Sequence, residues 1–207
     1  IVGVSMGSTL HHMVSALQKA PAERVTYVPL VGGMGRLRME LHANSLAEKM
    51  SRLGDGTFIP LHAPARVSST LVRDELMKEE SVQDAVKLMN RIDVALVGIG
   101  YPNEHSAIKA TGYYKENEIE SLISRKAAGE LCMQFYDMEG RTEPYVSDNA
   151  VIGMDIQRLR KVPCSVGIAG GREKLAAIQG AINGKYINVL ITDTECARAL
   201  LSDEEEE

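Results

Sequence analysis

A tight turn followed by small polar residues occurs near the start of the chain, where Gly7, Ser8 and Thr9 follow an apolar run that includes Val2 and Val4. This order predicts a buried strand, a turn and the N-terminus of a helix for which Ser8 and Thr9 are favoured cap residues. A phosphate placed there would meet free backbone N–H groups, two hydroxyls and the positive end of a helix dipole. The segment has neither the lysine of a P-loop nor the G-x-G-x-x-G order of a dinucleotide site. Taken alone, it is better explained as an ordinary strand-to-helix connection.

A second candidate anion site combines Gly170 and Gly171 with Lys174, which is expected in the first turn of the following helix. The helix dipole disfavours a cation at that position unless an anion is also present. Lys174 and the turn amides could therefore bind a phosphate, and the alternative is a solvated lysine paired with Glu173 or another acid. Glu130, at the start of a predicted strand, could accept hydrogen bonds from sugar hydroxyls or be an exposed acid at a strand end. Together these groups suit a small polyhydroxylated phosphate.

Further candidate ligand-binding residues lie in glycine loops after two other predicted strands: Gly32, Gly33, Gly35, Arg36, Gly98 and Gly100. Glycines let a backbone approach a ligand closely and Arg36 would add a cation, whereas a glycine turn leading to solvated arginines is an equal alternative. Lys109 lies in the longest loop-like segment, 101–114, and long loops in compact domains are often binding loops. No catalytic triad, paired carboxylates or metal-ligand spacing can be assigned, so no catalytic residue, metal or cofactor is predicted.

Short apolar runs alternate with helical patterns along the chain. After the opening run, strands are expected at 25–30, 57–61, 94–100, 165–169 and 188–192. Helices are expected at 41–53, 67–77, 82–89, 116–126 and 155–161, then between Gly170 and Gly184, and finally after a cap at Asp193 or Thr194. This alternation predicts a Rossmann-like, mostly parallel α/β sheet with helices on both faces. Ligands of such sheets bind beyond the carboxyl ends of the strands, where all four glycine loops fall.

Two local patterns refine this prediction. Residues 131–136 and 142–146, separated by a turn at Glu139 and Gly140, are expected to form a small antiparallel hairpin. Ser81, with Asp84 three residues later, is expected to open its helix as a capping box.

The composition favours one compact domain over residues 1–202. The chain has 207 residues, of which 44% are hydrophobic, and a formal charge of −5. Residues 203–207 are all acidic and are expected to be a solvated, disordered tail. Because the remaining 23 acidic residues balance 23 basic ones, this segment is not expected to bind a nucleic-acid backbone.

Three features of the sequence indicate where the protein is located and whether the chain is part of a longer protein. Cys132, Cys164 and Cys196 form no C-x-x-C pattern, which favours a reducing cytoplasm and buried, unreactive thiols. No apolar run is long enough to span a bilayer, so no membrane partner is expected. The first residue is not Met and lies inside a predicted strand, so we expect an upstream domain.

Seven segments together resemble the sugar-binding effector domain of SorC-type bacterial transcriptional regulators. They cover nearly the whole chain in the same order: G-V-S-M-G-S-T-L (3–10), V-P-L-V-G-G-M-G (28–35), D-V-A-L-V-G-I-G (93–100), A-A-G-E (127–130) with F-Y-D-M-E-G (135–140), V-G-I-A-G-G-R-E-K (166–174) and I-N-V-L-I-T-D (187–193). The resemblance implies a fold similar to ribose-5-phosphate isomerase and glucosamine-6-phosphate deaminase, without their activity. It also implies an upstream helix-turn-helix domain that contacts DNA.

The resemblance also implies roles for particular residues. Ser8 and Thr9 match the hydroxyl residues of the family's phosphate loop, and Lys174 matches its phosphate-contacting lysine. Glu130 stands where relatives usually have an aspartate that holds ligand hydroxyls. Lys109 aligns loosely with a basic residue. Val31 replaces an arginine that in some relatives binds a second phosphate, which favours a singly phosphorylated effector.

The sequence therefore predicts a ligand-sensing domain in which a phosphorylated sugar alters DNA binding by the full-length regulator, itself expected to be a homodimer or homotetramer. The family's sensors include those of glycolytic sugar phosphates, deoxyribose phosphate and phosphorylated autoinducer-2. The alternative is an isomerase or deaminase acting on the same class of substrate, for which Glu130 is the leading candidate base.

Overall fold

A computed structural model describes residues 1–20, 24–35, 38–103 and 112–202, and all structural statements here concern those residues. In chain order its strands are β1 (Val2–Val4), β2 (Thr26–Pro29), β3 (Thr57–Phe58), β4 (Val94–Gly98), β5 (Gly129–Leu131), β6 (Gln134–Tyr136), β7 (Cys164–Ile168) and β8 (Val189–Ile191). Six of them form a parallel sheet in the order β3-β2-β1-β4-β7-β8, and β5 and β6 form a separate antiparallel pair. The predicted fold class is confirmed.

The order of the strands reverses at the centre of the sheet. From β1 the chain builds outward through β2 to β3, then returns to the other side of β1 and builds outward again through β4, β7 and β8. Val4 is consequently paired with Pro29 on one side and with Leu96 on the other. The chain leaves β1 and β4 towards opposite sides of the sheet at this reversal. In open α/β sheets, ligands usually bind in a crevice beyond the carboxyl ends of such strands, so we expect a ligand crevice between β1 and β4.

Helices cover both faces of the sheet. In chain order they are α1 (Ser8–Ala16), α2 (Ala43–Leu53), α3 (Thr70–Leu76), α4 (Glu80–Met89), α5 (Glu116–Ser124), α6 (Leu175–Asn183) and α7 (Thr194–Ser202). On one face Leu96 of β4 packs with Leu10 of α1 and Leu46 of α2. On the other face Val97 belongs to a larger apolar cluster that includes Ala177 of α6. This alternation follows from the pleat of the strand, which points successive side chains to opposite faces.

The predicted hairpin exists, but its position was wrong. β5 and β6 are joined at Cys132 and Met133, which have φ angles of 51° and 64°. A turn at positive φ without glycine or asparagine gives little sequence signal. The second strand was predicted at 142–146, but Glu143–Asp148 forms a 3₁₀ helix instead. Pro144 accounts for the difference, because proline cannot donate to a strand ladder but fits the first turn of a helix.

Several predicted boundaries also differ. The strand expected at 57–61 ends at Phe58, before Pro60, and α3 begins only at Thr70, where the Ser69 hydroxyl accepts a bond from the Val72 amide. Residues 156–161 form a 3₁₀ helix capped by Asp155.

The predicted capping box at Ser81 is absent, because α4 already begins at Glu80 and its first backbone bonds go to the Glu79 carbonyl. Asp193 does cap the last helix, as predicted: its Oδ1 accepts a bond from the Cys196 amide at 2.9 Å. No helix among the described residues is long and apolar enough to cross a membrane.

Candidate functional site

The turn at Gly7 connects β1 with α1 at the carboxyl edge of the sheet, where the ligand crevice is expected. Gly7 has a φ of 115°, which an L-residue rarely adopts, and its amide donates to the Leu41 carbonyl at 3.0 Å. No side chain among the described residues caps α1, so the cap predicted for Ser8 or Thr9 is not formed. Ser8 is exposed and Thr9 is partly buried. No described side chain therefore caps the N–H groups in the first turn of α1, which also carries the hydroxyls of Ser8 and Thr9.

Gly98 ends β4 beside this turn. A Cβ atom at Gly98 would lie 3.4 Å from the Met6 carbonyl oxygen and 3.9 Å from Leu10 Cγ. Glycine at this position keeps the start of α1 close against β4. Close packing of α1 on β4 is therefore one reason for glycine at position 98.

Glu130 lies over the end of β4 because its hairpin is paired with Gly100. The Glu130 amide donates to the Gly100 carbonyl at 2.8 Å, and the Gly100 amide donates to the Glu130 carbonyl at 3.1 Å. The Glu130 carboxylate accepts a bond from the Met133 amide at 2.8 Å, and its other oxygen lies only 2.2 Å from where a Cβ of Gly100 would stand. The absence of a side chain at Gly100 thus makes room for the Glu130 carboxylate. The sequence around Gly100 gave no sign of this requirement.

The Glu130 carboxyl group is also electrostatically unusual. It is 5% exposed, and burial raises its pKa from 4.5 to about 7, while the Met133 amide and the charge of Lys174 act in the opposite direction. The charge of Lys174 therefore favours the ionised form of Glu130. These two predicted site residues are 44 positions apart in the sequence. They lie at the same edge of the sheet, because Glu130 pairs with Gly100 after β4, Lys174 follows β7, and β4 and β7 are adjacent and parallel.

The turn that carries Lys174 follows β7. Gly171 has a φ of 101°, and its carbonyl accepts the Lys174 amide at 2.9 Å, which begins a short 3₁₀ turn ahead of α6. The Gly171 amide donates to Asp193 Oδ2 at 2.7 Å. This amide is therefore occupied by a carboxylate of the protein, whereas the sequence suggested that it was available to a ligand. Asp193 was predicted as a helix cap, but nothing in the local sequence connected it with Gly171.

The loop after β2 has a structural explanation. A Cβ at Gly32 would stand 2.5 Å from the Pro64 carbonyl oxygen, so glycine allows two backbone segments to pack together. The Gly33 amide donates to the Ala63 carbonyl at 2.8 Å, and its own carbonyl accepts the Tyr113 hydroxyl at 2.9 Å. Gly35 has open space around it. Packing alone accounts for Gly32, and the other two candidate cations, Arg36 and Lys109, lie outside the described residues.

The hairpin turn contacts the end of β1 through a polar pair that the sequence did not suggest. Cys132 Sγ and Ser5 Oγ lie 3.4 Å apart, and both residues are buried. Burial raises the pKa of the Cys132 thiol to about 12, so it is an unreactive thiol as predicted. The contact joins the hairpin that carries Glu130 to Ser5, two residues before Gly7.

Two cavities lie away from the predicted site residues. They measure about 280 and 260 Å³ and share Arg73, Gln134, Asn149 and Asp155, but neither is lined by a predicted site residue. Within the described ranges, no group of three or more His, Cys, Asp or Glu side chains could hold a metal ion.

Comparison with known proteins adds independent information. The chain matches the Sugar-bind family model, a sugar-binding domain, over residues 1–202. It is 32% identical over 203 residues to the sorbitol operon regulator of Klebsiella pneumoniae, which covers 97% of this chain and 64% of that protein. It is 29% identical over 208 residues to the deoxyribonucleoside regulator of Bacillus subtilis (strain 168), which covers 98% of this chain and 64% of that protein.

A solved structure gives the same relationship in three dimensions. The full-length sorbitol operon regulator SorC from Klebsiella pneumoniae superposes with a TM-score of 0.88 at 30% identity, over 97% of this chain and 66% of that one. The chain thus spans 64% of the length of the two relatives matched by sequence.

Proposed function

Since this chain belongs to the family of sugar-binding domains of SorC-type transcriptional regulators, we propose that it binds a phosphorylated sugar at the crevice between β1 and β4. Lys174 and the first turn of α1, with Ser8 and Thr9, hold the phosphate. Glu130 accepts hydrogen bonds from the sugar hydroxyls. The observation that carries the proposal is the proximity of a cation to a buried carboxylate at the topological switch point of the sheet.

The charges in the crevice support a ligand that has both an anionic and a hydroxylated end. An anion placed near the Glu130 carboxylate would be repelled unless a cation stood between them, and Lys174 supplies that cation. Helix-end N–H groups add further attraction for a phosphate without adding a charge that would also bind other acids. A neutral sugar would leave the Lys174 charge without a partner in the ligand.

A single phosphate is favoured by Val31. This residue is fully buried in an apolar cluster with Met6 and Met34, and it pairs with Gly153 through a backbone bridge. Its position therefore offers no charge to a second phosphate.

In the full-length protein, the effector changes the affinity of an upstream helix-turn-helix domain for DNA by favouring one conformation or oligomeric state, dimer or tetramer, over another. The size of the response is set by the difference in affinity of the ligand for the two states. Such a regulator acts in the cytoplasm, where its operator and the phosphorylated sugars of metabolism are found.

A thermal-shift screen tests the proposed site. Sorbitol 6-phosphate, ribose 5-phosphate and deoxyribose 5-phosphate would each be compared with the unphosphorylated sugar. A ligand present at a hundredfold its Kd stabilises the folded state by about 2.7 kcal/mol, which for a domain of this size raises Tm by about 5 to 10 °C. We expect at least one phosphorylated sugar to do so and its parent sugar to have no effect.

Lys174→Ala should abolish this shift because it removes the cation that holds the phosphate. Lys87→Ala is the matched control, since it removes a lysine exposed on α4 whose contact with Asp84 at 3.8 Å is a weak surface pair. Equal shifts in the two variants would contradict the site, and the absence of a shift with every sugar phosphate would contradict the proposed function.

One observation favours the enzymatic alternative. A carboxyl group with a pKa of about 7 has the protonation behaviour of a general base at neutral pH. The named relatives are regulators, and we therefore assign Glu130 to binding. Turnover of ribose 5-phosphate or glucosamine 6-phosphate, lost in Glu130→Gln, would reverse this assignment.

A further inference from the structure

We propose that Asp193 is a positioning residue of the phosphate site: it ties the Gly170–Gly171 turn to the N-terminus of α7 and thereby sets the place of Lys174. The inference rests on the proposed function for its ligand, but the contact itself can be tested without one.

The sheet brings the two segments together. β7 and β8 are adjacent and parallel, with Ile168 paired with Ile191, and the Ala169 amide donates to the Ile191 carbonyl at 3.1 Å. The segments that follow β7 and β8 therefore leave the sheet side by side. The turn at Gly170 and the start of α7 at Thr194 consequently lie at one corner of the carboxyl edge, although they are separated by more than twenty residues.

Asp193 uses both carboxylate oxygens at this corner. Oδ2 accepts the Gly171 amide at 2.7 Å, and Oδ1 accepts the Cys196 amide at 2.9 Å in the first turn of α7. The Asp193 carbonyl accepts the Ala197 amide at 3.0 Å, which starts the helix. One side chain therefore serves as the helix cap and as the anchor of a loop on another strand.

The glycine turn needs such an anchor. Two successive glycines lose much conformational entropy on folding and have no side chains with which to hold a position. Gly171 is at a φ of 101°, and a Cβ at Gly170 would stand 2.6 Å from Asp193 Oδ2. The two glycines thus permit both the turn and the close approach of the carboxylate.

The anchor reaches Lys174 through one further bond. The Gly171 amide donates to Asp193, and the Gly171 carbonyl accepts a hydrogen bond from the Lys174 amide at 2.9 Å. Displacement of Gly171 would therefore move the 3₁₀ turn that carries Lys174. The Gly171 amide is bonded to Asp193 and is therefore not available to a phosphate. Asp193 consequently acts on the ligand only through the position of this turn.

The two amides also lower the pKa of the Asp193 carboxyl below its usual value, with the Cys196 contact the larger cause. The group is consequently ionised near neutral pH, and the anchor does not depend on pH in that range. Its negative charge is balanced by the N-terminus of α7.

The test compares Asp193→Ala with Asp155→Ala in the complete chain. Asp155 is a matched control, because it caps a 3₁₀ helix through one amide, that of Gln157 at 2.9 Å, and contacts no predicted site residue. Hydrogen exchange of the ligand-free proteins, followed at the amides of Gly171 and Lys174, reports the anchor directly. We expect at least tenfold faster exchange there in Asp193→Ala and unchanged exchange in Asp155→Ala.

Titration with the sugar phosphate that gives the largest thermal shift provides the second readout. Asp193→Ala should weaken binding about tenfold, while Asp155→Ala should bind within twofold of wild type even if its Tm falls by a similar amount. Asp193→Asn keeps one acceptor oxygen, so it should lie between wild type and the alanine variant, and it replaces the alanine variant if that does not fold.

Unchanged exchange at Gly171 and Lys174 in Asp193→Ala, or in Asp193→Asn if only that variant folds, would overturn the anchor whether or not any ligand binds. Faster exchange with unaltered affinity would overturn its role in the site. A wild-type protein that binds no sugar phosphate would instead count against the proposed function, and the positioning role in a phosphate site would be lost with it.

Discussion

At the scale of single residues, the proposed site contains an acid that is kept out of water. Glu130 is held by the Met133 amide and by its backbone pairing with Gly100, and Lys174 is the cation whose charge acts on it. Burial favours the protonated carboxyl group, and the amide and the cation favour the carboxylate. The balance leaves the group able to change its protonation near neutral pH.

This balance predicts how stability depends on pH. The pKa of Glu130 is about 7 in the folded protein and 4.5 when unperturbed, so the folded state keeps a proton that the unfolded state has already lost between these values. The stabilisation is complete below about pH 4.5 and is lost as the pH rises towards 7, with a total change of about 3 kcal/mol. Glu130→Gln cannot titrate and should gain stability relative to wild type by roughly this amount between about pH 4 and pH 8.

Urea unfolding of both proteins over that pH range measures the difference. Glu120→Gln is a suitable control, because Glu120 is exposed on α5 and its curve should run parallel to that of wild type. Parallel curves for Glu130→Gln as well would contradict the raised pKa.

Sequence reasoning proposed Glu130 and Lys174 as site residues because each breaks a local rule: an acid opens a predicted strand, and a cation stands at the predicted start of a helix. It did not find the partners of Gly171 and Ser5, which are Asp193 and Cys132. Those contacts join distant parts of the chain, and no local pattern records them. The roles of Gly32 and Gly100 likewise depend on which atoms approach them, which is a property of the folded chain.

At the scale of elements, the segment that precedes α5 is held in place by Arg66. Its guanidinium donates to the Tyr113 carbonyl at 2.7 Å and to the Glu118 carboxylate at 3.0 Å, and it lies 4.3 Å from the centre of the Tyr114 ring. The Tyr113 hydroxyl in turn donates to the Gly33 carbonyl. Arg66 therefore connects α5 with the glycine loop after β2.

Arg66→Met should destabilise the protein by about 2 to 4 kcal/mol, because it leaves Glu118 without its cation and removes the contact with Tyr114. The Arg66 side chain is 17% exposed, so the lost pair is largely shielded from water. Its Nε already lacks a partner among the described residues, which reduces the loss. Arg91→Met, at an exposed position, is the control for urea unfolding and should change stability by less than about 0.5 kcal/mol. Equal effects of the two substitutions would contradict the anchoring role.

Elements were predicted in proportion to the strength of their local signals. The strands of the parallel sheet are apolar runs flanked by turns, and all six were found. The hairpin was misplaced because Cys132 and Met133 turn at positive φ without a glycine, while the glycine turn at Gly140 precedes a 3₁₀ helix. Gly140 packs so closely on Gly184 that a Cβ would stand 2.2 Å from the Gly184 Cα, a reason for glycine unrelated to hairpins.

At the scale of the whole molecule, the net charge bears on which part of the protein would contact DNA. The chain has 23 basic and 28 acidic residues, five of the acidic ones at 203–207, so residues 1–202 are neutral overall. Binding to a DNA backbone requires a net attraction to phosphates. Because residues 1–202 have no net charge, we expect contact with DNA to be made by the proposed upstream domain.

We therefore expect the 207-residue chain not to bind DNA. Fluorescence anisotropy with a labelled duplex should give no saturable binding tighter than about 10⁻⁴ M at physiological salt, the weak end of ordinary non-specific affinity. Removal of residues 203–207 should not change the result, because it leaves a neutral body. Micromolar binding that weakens steeply with salt would contradict this division of tasks.

The central position of β1 has a consequence for how the protein is made. Val2 pairs with Tyr27 on one side and with Val94 on the other, so one edge of β1 has no partner until Val94 has been synthesised. Contacts between such distant residues make folding slow, on the order of milliseconds to seconds. A nascent chain that stalls before β4 presents an open apolar edge, which is a substrate for chaperones and a risk of aggregation.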